Sequence, residues 1–366
     1  MKNLNFKNAI KRVHELTPQI IDYDKFMHVG SRWIPYVMYF HYKNFRSKTI
    51  NTDSLGFRYT MHNKKKYGLD NLPQNTTINL FVGGSATLGV GSTSDEKTIA
   101  SFLSNKTDEI WINFSGRGFN AIQELIMFLI NQDKFYNINN VIVMSGMNTL
   151  VLEGIPEKFA DDDYDKYYYS YEYQHYMNLL NKDMKSKKDS FDINSSSIKT
   201  FFKDLKNIFS YENPLDTEIN DEKNDLDARV IIAAKRVTDA LVTWRLLLNK
   251  YENSKLYFVL QPLSDWTEKK LTEEEKSVFH AVENCPNNFY RLFQNILTKD
   301  VYKNYFNKIK SNIKGISCLD MNILLKEKIS DKDTIFVDRV HFNDKGNEII
   351  ANIIYEEIIS KQERTQ

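Results

Sequence analysis

Apolar residues in this chain fall into short runs, and most runs end on glycine or a polar residue. Ile78, Leu80, Phe81 and Val82 form one run that breaks into Gly83-Gly84-Ser85, with further glycines at Gly89 and Gly91. A run of that length bounded by glycines predicts a buried strand, a tight turn and a helix starting near residues 95–96. The alternation then repeats. The pattern predicts a helix over 96–106, a strand over 109–114, a glycine turn holding Arg117, a helix over 121–130, and a strand over 140–144 ending at Gly146-Met147-Asn148. It goes on with a long helix over 227–251, a strand over 255–260 ending in Gln261-Pro262, and a short strand at 316–319. An apolar-periodic helix (Ile349, Ile350, Ile353, Ile354) closes the chain. Strand, turn and helix in alternation predict an α/β fold on a doubly wound sheet, whose ligands bind at the carboxyl ends of the strands.

Three stretches stand outside this frame. Residues 1–76 form an amino-terminal extension, with helical spacing over 8–16 and an aromatic run, RWIPYVMYFHYKNF, over 32–45. That run reads either as a segment lying on a membrane surface or as packing across the main domain, and packing is the expectation. The stretch NTDSLGFRYT holds a turn at Leu55-Gly56 followed by Phe57-Arg58; Arg58 reads as an anion-binding group or, by default, as one half of a structural salt bridge. The main domain, 77–366, carries two insertions. Residues 153–224, with DDDYDKYYYSYEYQHY at their centre, are too long for a plain connection and are expected to be a cap or a lid. Within them, 182–197 has the composition of a solvated loop. Residues 264–310 are expected to be helical and to lie beside the ligand edge.

Chemistry enters with two of these turns. Ser85 sits among glycines at a strand end, where its hydroxyl can stand exposed; the plainer reading is a helix-capping serine. Near the other end, Asp338 and His341 stand three apart, just before Gly346 and the terminal helix. A serine hydroxyl is a poor nucleophile at neutral pH and needs an imidazole to take its proton. The imidazole in turn needs a carboxylate to fix its tautomer. One Asp-x-x-His turn can supply both.

At this point the chain resembles the SGNH (GDSL-like) hydrolases. The nucleophile block is similar to Gly83-Gly84-Ser85-Ala86-Thr87-Leu88-Gly89, with Gly84 where many members carry aspartate. The second block resembles Asn113-Phe114-Ser115-Gly116-Arg117-Gly118-Phe119-Asn120, the oxyanion glycine falling on Gly118, or on Gly116 if the register slips. The third, Gly-x-Asn, is similar to Gly146-Met147-Asn148, and the last to Asp338 and His341. The four blocks come in the family's order over residues 78–350. The resemblance implies a three-layer α/β/α, flavodoxin-like fold with a parallel five-stranded sheet, plus the extension and a helical insertion. It implies Ser85, Asp338 and His341 as the catalytic residues, and Ser85, Gly118 and Asn148 as oxyanion donors. Arg117, Gln261 and Gly84 are candidates for contacting substrate. For Arg117 the alternative is a surface arginine, and for Gln261 a plain strand stop. His62, His175 and His280 have no partner pattern and receive no role.

The implied activity is that of a serine esterase removing an acyl group, with O-acetyl as the leading expectation, from a carbohydrate or other small alcohol. Alternatives are an O-acyltransferase using the same triad and a non-catalytic binding protein on the same fold. An element similar to NTDSLGFR at 51–58, with its Gly-Phe-Arg, precedes the core in a subset of these hydrolases with Gly-Gly-Ser nucleophile blocks that are linked to bacterial surface polysaccharide.

Composition narrows this little. The 366 residues hold 49 basic and 48 acidic side chains, a net charge of +1, so no nucleic-acid partner is expected. Seven histidines show no HExxH or paired Cys/His spacing, and neither metal nor cofactor is expected. Two cysteines, Cys285 and Cys318, cannot build a disulfide framework and read as reduced thiols of a cytoplasmic protein. The first 11 residues hold no sustained apolar run of the signal-peptide kind. No apolar run approaches the ~18 residues of a membrane span. The oligomeric state is open.

Overall fold

A computed structural model describes residues 2–28, 32–154, 226–285 and 295–364. The expectations for 153–224, including its tyrosines and the stretch 182–197, therefore fall almost entirely outside the described residues, as do His175 and part of the second insertion.

The chain opens with helices α1 (Lys2–Leu16) and α2 (Ile20–His28). Two short antiparallel pairs follow, β1 (Arg32–Ile34) with β2 (Met38–Phe40) and β3 (Thr60–His62) with β4 (Lys65–Tyr67). Next come β5 (Thr77–Gly83), the short helix α3 (Ser85–Leu88), α4 (Ile99–Thr107), β6 (Trp111–Ser115), α5 (Ala121–Leu129), β7 (Asn137–Ser145) and α6 (Met147–Glu153). The described chain resumes with α7 (Leu226–Leu248), β8 (Lys255–Leu260), α8 (Glu273–Glu283), α9 (Lys299–Asn312), β9 (Ser317–Asp320), α10 (Met321–Lys328) and α11 (Asp344–Ile354).

Five strands make one parallel sheet in the order β6-β5-β7-β8-β9. This is the doubly wound α/β arrangement expected, with its strand order reversing at β5, so that the carboxyl ends of β5 and β7 flank the crevice where such sheets bind ligands. Strand periodicity explains the layers. Leu80 and Val82 of β5, Val141 and Val143 of β7, and Phe258 and Leu260 of β8 enter one core, with Trp244 of α7 and Ile309 of α9. The alternate residues Phe81, Ile142, Met144 and Val259 enter the other, with Leu103 of α4 and Ile350 and Ile354 of α11. Side chains two apart share a face, so a sheet buried on both sides reads as nearly continuous apolar runs.

One expectation needs correction. The helix placed from residue 95 is divided. Ser85 itself starts α3, which Gly89 ends in a left-handed conformation at φ 85°, its N–H returning to the Ser85 and Ala86 carbonyls. A 3-10 turn takes Asp95–Lys97, and Thr98 then caps α4 by accepting from the Ser101 N–H. In the aromatic run at 32–45, Val37, Tyr39 and Phe40 join Phe57 in the core formed with Leu80 and Val82. β3 also reaches the outer edge of the sheet, where the Thr60 hydroxyl accepts from the Asn113 N–H at 3.2 Å. Among the described residues no helix is long and apolar enough to cross a membrane.

Candidate active site

The site is assembled at the carboxyl ends of β5, β6 and β7 and on the loop before α11. Ser85 follows β5 as the first residue of α3, so its N–H has no acceptor within the helix. The carboxyl end of α3 is held from two sides. The Asn113 amide donates to the Thr87 and Leu88 carbonyls at 3.2 and 3.3 Å. Fully buried Arg58 donates to the Leu88 and Gly89 carbonyls at 3.0 and 2.9 Å, to the Tyr23 hydroxyl, to the Thr49 carbonyl, and in an ion pair to Asp95. Arg58 is thus a structural ion-pair residue and not an anion receptor.

The His341 loop meets this turn through a close approach. A Cβ on Gly91, whose φ is +99°, would stand 2.4 Å from the Phe342 carbonyl oxygen, so only glycine lets the two loops touch here. The loop itself is tied at its base: the Val337 N–H donates to the His341 carbonyl and the Asn343 N–H to that of Ile335. Asn343 caps α11 by accepting from the Gly346 N–H. From the second insertion, Glu275 accepts from the Ile335 and Phe336 N–H groups, and Arg339 pairs with Asp265 and Glu283.

With both loops in place, the His341 Nε2 lies 2.7 Å from the Ser85 Oγ, and its Nδ1 lies 2.7 Å from an Asp338 carboxylate oxygen. The other Asp338 oxygen accepts from the Val340 and His341 N–H groups, each at 2.7 Å. Burial pushes this carboxyl up, but the His341 imidazole and these hydrogen bonds outweigh it and hold Asp338 below the usual carboxylate range. An ionised Asp338 accepts a hydrogen bond from Nδ1–H, which leaves Nε2 as the acceptor facing the serine hydroxyl.

The turns after β6 and β7 meet the Gly83-Gly84-Ser85 turn. In the turn after β6, the Gly116 N–H donates to the Gly83 carbonyl, the Phe119 N–H to the Gly116 carbonyl, and the Arg117 N–H to His41 Nε2 at 3.0 Å. The Gly118 N–H, on a residue with φ 71°, has no acceptor among the described residues. Between the two alignments left open by the sequence, the free donor is that of Gly118. The Asn148 amide nitrogen donates one hydrogen to the Phe119 carbonyl at 2.8 Å, and its second hydrogen has no acceptor among the described residues. Gly84 makes room for that amide: a Cβ there would stand 2.6 Å from Asn148 Nδ2.

Two other candidates are buried at this edge. Arg117 is only 7% exposed, so it is not a surface arginine. Gln261 is buried at the end of β8, its N–H on the Ser145 carbonyl and its amide nitrogen without a partner among the described residues. No hydrogen bond joins either side chain to Ser85 or His341 among those described. His62 faces Asp108 at 3.4 Å, far along the chain from the site. Cys285 and Cys318 are unpaired, and burial pushes their thiols up to about 11 and about 12. Among the described residues, no group of three or more His, Cys, Asp and Glu is placed to hold a metal ion.

His41 was not foreseen from the sequence, because a histidine in an aromatic run carries no spacing signal toward a turn 76 residues away. Its ring is fully buried, stacked on Phe40 at 4.5 Å between centroids, and its Nδ1 lies 3.1 Å from the Gly56 carbonyl. Burial, and the charges of Arg117, Arg32 and Arg58, hold it down to about 3, so it is neutral at ordinary pH.

No protein-family model matches the chain, and no curated protein matches it. Among solved structures, it is similar to a member of the lipolytic protein G-D-S-L family from Veillonella parvula DSM 2008. That match has 10% identity, 78% of this chain and 99% of that one covered, and a TM-score of 0.38. It is also similar to the acetyl xylan esterase AlAXEase, with 12% identity, 77% and 100% coverage and a TM-score of 0.34. A third is the lipase Lip_vut3 from a goat rumen metagenome, with 11% identity, 77% and 97% coverage and a TM-score of 0.36.

Proposed function

We propose that this chain is a serine esterase of the SGNH type, acting on a short acyl ester, with O-acetyl on a carbohydrate or small alcohol as the leading substrate class. The observation that carries the reading is the continuous line from Asp338 through His341 to the Ser85 hydroxyl, with both contacts at 2.7 Å. An ordinary capping serine needs no imidazole on its hydroxyl, and α3 shows no side-chain cap.

In this reading Ser85 Oγ attacks the ester carbonyl while its proton passes to His341 Nε2. Asp338 keeps the ring oriented and stabilises the imidazolium. The carbonyl π electrons move onto oxygen, and the Ser85 N–H, the Gly118 N–H and the Asn148 amide take up the charge. Collapse re-forms the carbonyl and breaks the bond to the alcohol oxygen, which leaves with the proton from Nε2. Water then attacks the acyl-serine, losing a proton to His341 Nε2; collapse breaks the bond between the acyl carbon and Ser85 Oγ, which takes that proton back as the acid departs. Both N–H donors and the amide carry no net charge of their own, and donors fixed in place before reaction starts are effective because they need no reorganisation as the charge develops. Water and a sugar hydroxyl are chemically equivalent in the second half, so hydrolysis and transfer share every residue named here.

A screen of short-chain acyl esters and acetylated sugars against wild type and Ser85→Ala tests this. Wild type should release acid from at least one of them and be labelled at Ser85 by a fluorophosphonate. Ser85→Ala should lose both while keeping its circular dichroism spectrum. Transfer to an added sugar would show as a new ester in the same assay. Activity that survives in Ser85→Ala would overturn the proposal.

A further inference from the structure

We propose that His41, supplied by the amino-terminal extension, is a positioning residue for the oxyanion turn, acting through the Arg117 backbone N–H. The proposal rests on the esterase reading and assigns a role to a residue outside the four sequence blocks.

The turn at 116–118 has a problem that its sequence creates. Glycine on either side of Arg117 leaves the intervening peptides little to stop them rotating, because glycine accepts positive and negative φ alike. A rotated Gly116–Arg117 peptide would turn the next peptide with it and carry the Gly118 N–H out of its place. In the structure that peptide is held at both ends. Its oxygen accepts from the Phe119 N–H at 3.1 Å, and its N–H donates to His41 Nε2 at 3.0 Å. With the Gly116 N–H also committed to the Gly83 carbonyl, the Gly118 N–H remains as the turn's uncommitted donor among the described residues.

His41 suits this task. The Gly56 carbonyl, 3.1 Å from Nδ1, accepts a hydrogen bond from the ring's one N–H, which leaves Nε2 a lone pair for the Arg117 N–H. A protonated ring would have no lone pair to offer. Its burial, and the three arginines whose charges bear on it, keep the ring neutral. The ring is fixed by Phe40 at 4.5 Å and Phe26 at 5.3 Å between centroids, and its own carbonyl accepts from Arg32 Nε at 3.1 Å. The Gly56 Cα also approaches it closely: a Cβ there would stand 2.7 Å from the His41 oxygen. The Gly-Phe-Arg element thus seats the histidine with Gly56 and the nucleophile helix with Arg58.

The two ring nitrogens can be separated by substitution. His41→Asn keeps a donor near the Nδ1 position, toward Gly56, and loses the acceptor for Arg117. His41→Gln places an amide oxygen near the Nε2 position and keeps that acceptor. Both are measured on an ester that wild type hydrolyses and Ser85→Ala does not, alongside inhibition by a simple alkyl boronic acid, whose tetrahedral serine adduct resembles the transition state. His41→Asn should lower kcat about tenfold or more, short of the ~100- to 1000-fold of a donor removed outright. Its KM should stay within about threefold, and its boronate inhibition constant should rise by the same factor as kcat/KM falls. His41→Gln should stay close to wild type in both. Equal kcat values for the two variants, whether high or low, would overturn the inference, because a purely structural histidine predicts no difference between them. Wild type that hydrolyses no ester and takes no fluorophosphonate would instead overturn the esterase reading, and this inference with it.

Discussion

At Gly84 a single carbon atom decides the state of the site. Its φ of −88° and ψ of −151° are open to any residue, so backbone freedom is not why glycine is there. Space is the reason: a Cβ would meet Asn148 Nδ2 at 2.6 Å, and the amide would have to give up its place. Gly84→Ala should therefore lower kcat on the chosen ester by about tenfold or more, up to the ~100- to 1000-fold of a lost oxyanion donor. Thermal unfolding should move by only a few degrees, since the displaced side chain is half-buried and not part of either core. Steady-state kinetics and a melting scan on one preparation check both halves. The aspartate that the SGNH pattern often has at this position would need the same space. A sequence can show that a glycine is present, but not which neighbour needs the room, so this role was legible only from coordinates.

Between elements, the contact of α5 with β7 holds the least ordinary group in the core. Glu124 of α5 is buried against Val143, Trp244 and Phe258, where one carboxyl oxygen accepts from the Ser145 hydroxyl at 2.7 Å and the other has no partner among the described residues. Burial pushes this carboxyl up to about 8, the Ser145 hydrogen bond opposing it. An acid raised in the folded state binds a proton there that the unfolded chain has already lost. Stability should therefore fall as pH rises from the unfolded value, near 4.5, to the folded one, near 8, and be level outside that window. Glu124→Gln keeps the acceptor for Ser145 and removes the titration. It should melt close to wild type at pH 4–5 and above it at pH 9, by a margin on the order of one to a few kcal/mol. A wild-type melting curve that is flat across that window would sink this account. Element ends follow the same logic of buried polar groups. β8 matches its expected bounds, Lys255–Leu260, because an apolar run stops at Gln261-Pro262. β7 begins earlier than expected, at Asn137, because Asn140 is not a strand end: its amide donates to Asn79 Oδ1 at 2.8 Å, one strand over. Polar residues that satisfy each other across a ladder look like loop residues in a sequence.

Across the whole molecule, Arg58 joins three separate regions of the chain. Through it the extension (Thr49, Tyr23), the nucleophile helix (Leu88, Gly89) and the turn at Asp95 become one buried polar cluster with every contact between 2.8 and 3.0 Å. Removing one partner of a buried ion pair leaves the other charge stranded, typically at a cost of about 3–5 kcal/mol. Arg58→Met should destabilise the protein by about that much in chemical denaturation. Adding Asp95→Asn should recover part of the loss, because the stranded charge goes while one of the two Asn51 contacts keeps its acceptor at 95. Loss of equal size in the single and double variants would mean that the guanidinium acts by packing alone. The extension also meets the sheet through apolar packing, since Phe40 and Phe57 share a core with Leu80 and Val82.

What the sequence determined by itself is what depends on near neighbours. The short, nearly continuous apolar runs specified strands buried on both faces, and their alternation with helices specified a parallel sheet. Asp338 and His341, three apart on one loop, were bound to lie close whatever the rest of the chain did. The tertiary structure alone decided which N–H of the 116–118 turn is left without an acceptor, that His41 occupies its neighbour, and that Ser85 and His341 meet although 256 positions separate them. Those outcomes depend on how the loops at the strand ends pack and on which partners buried polar groups find. Such matches are made across hundreds of residues, and no local pattern encodes them.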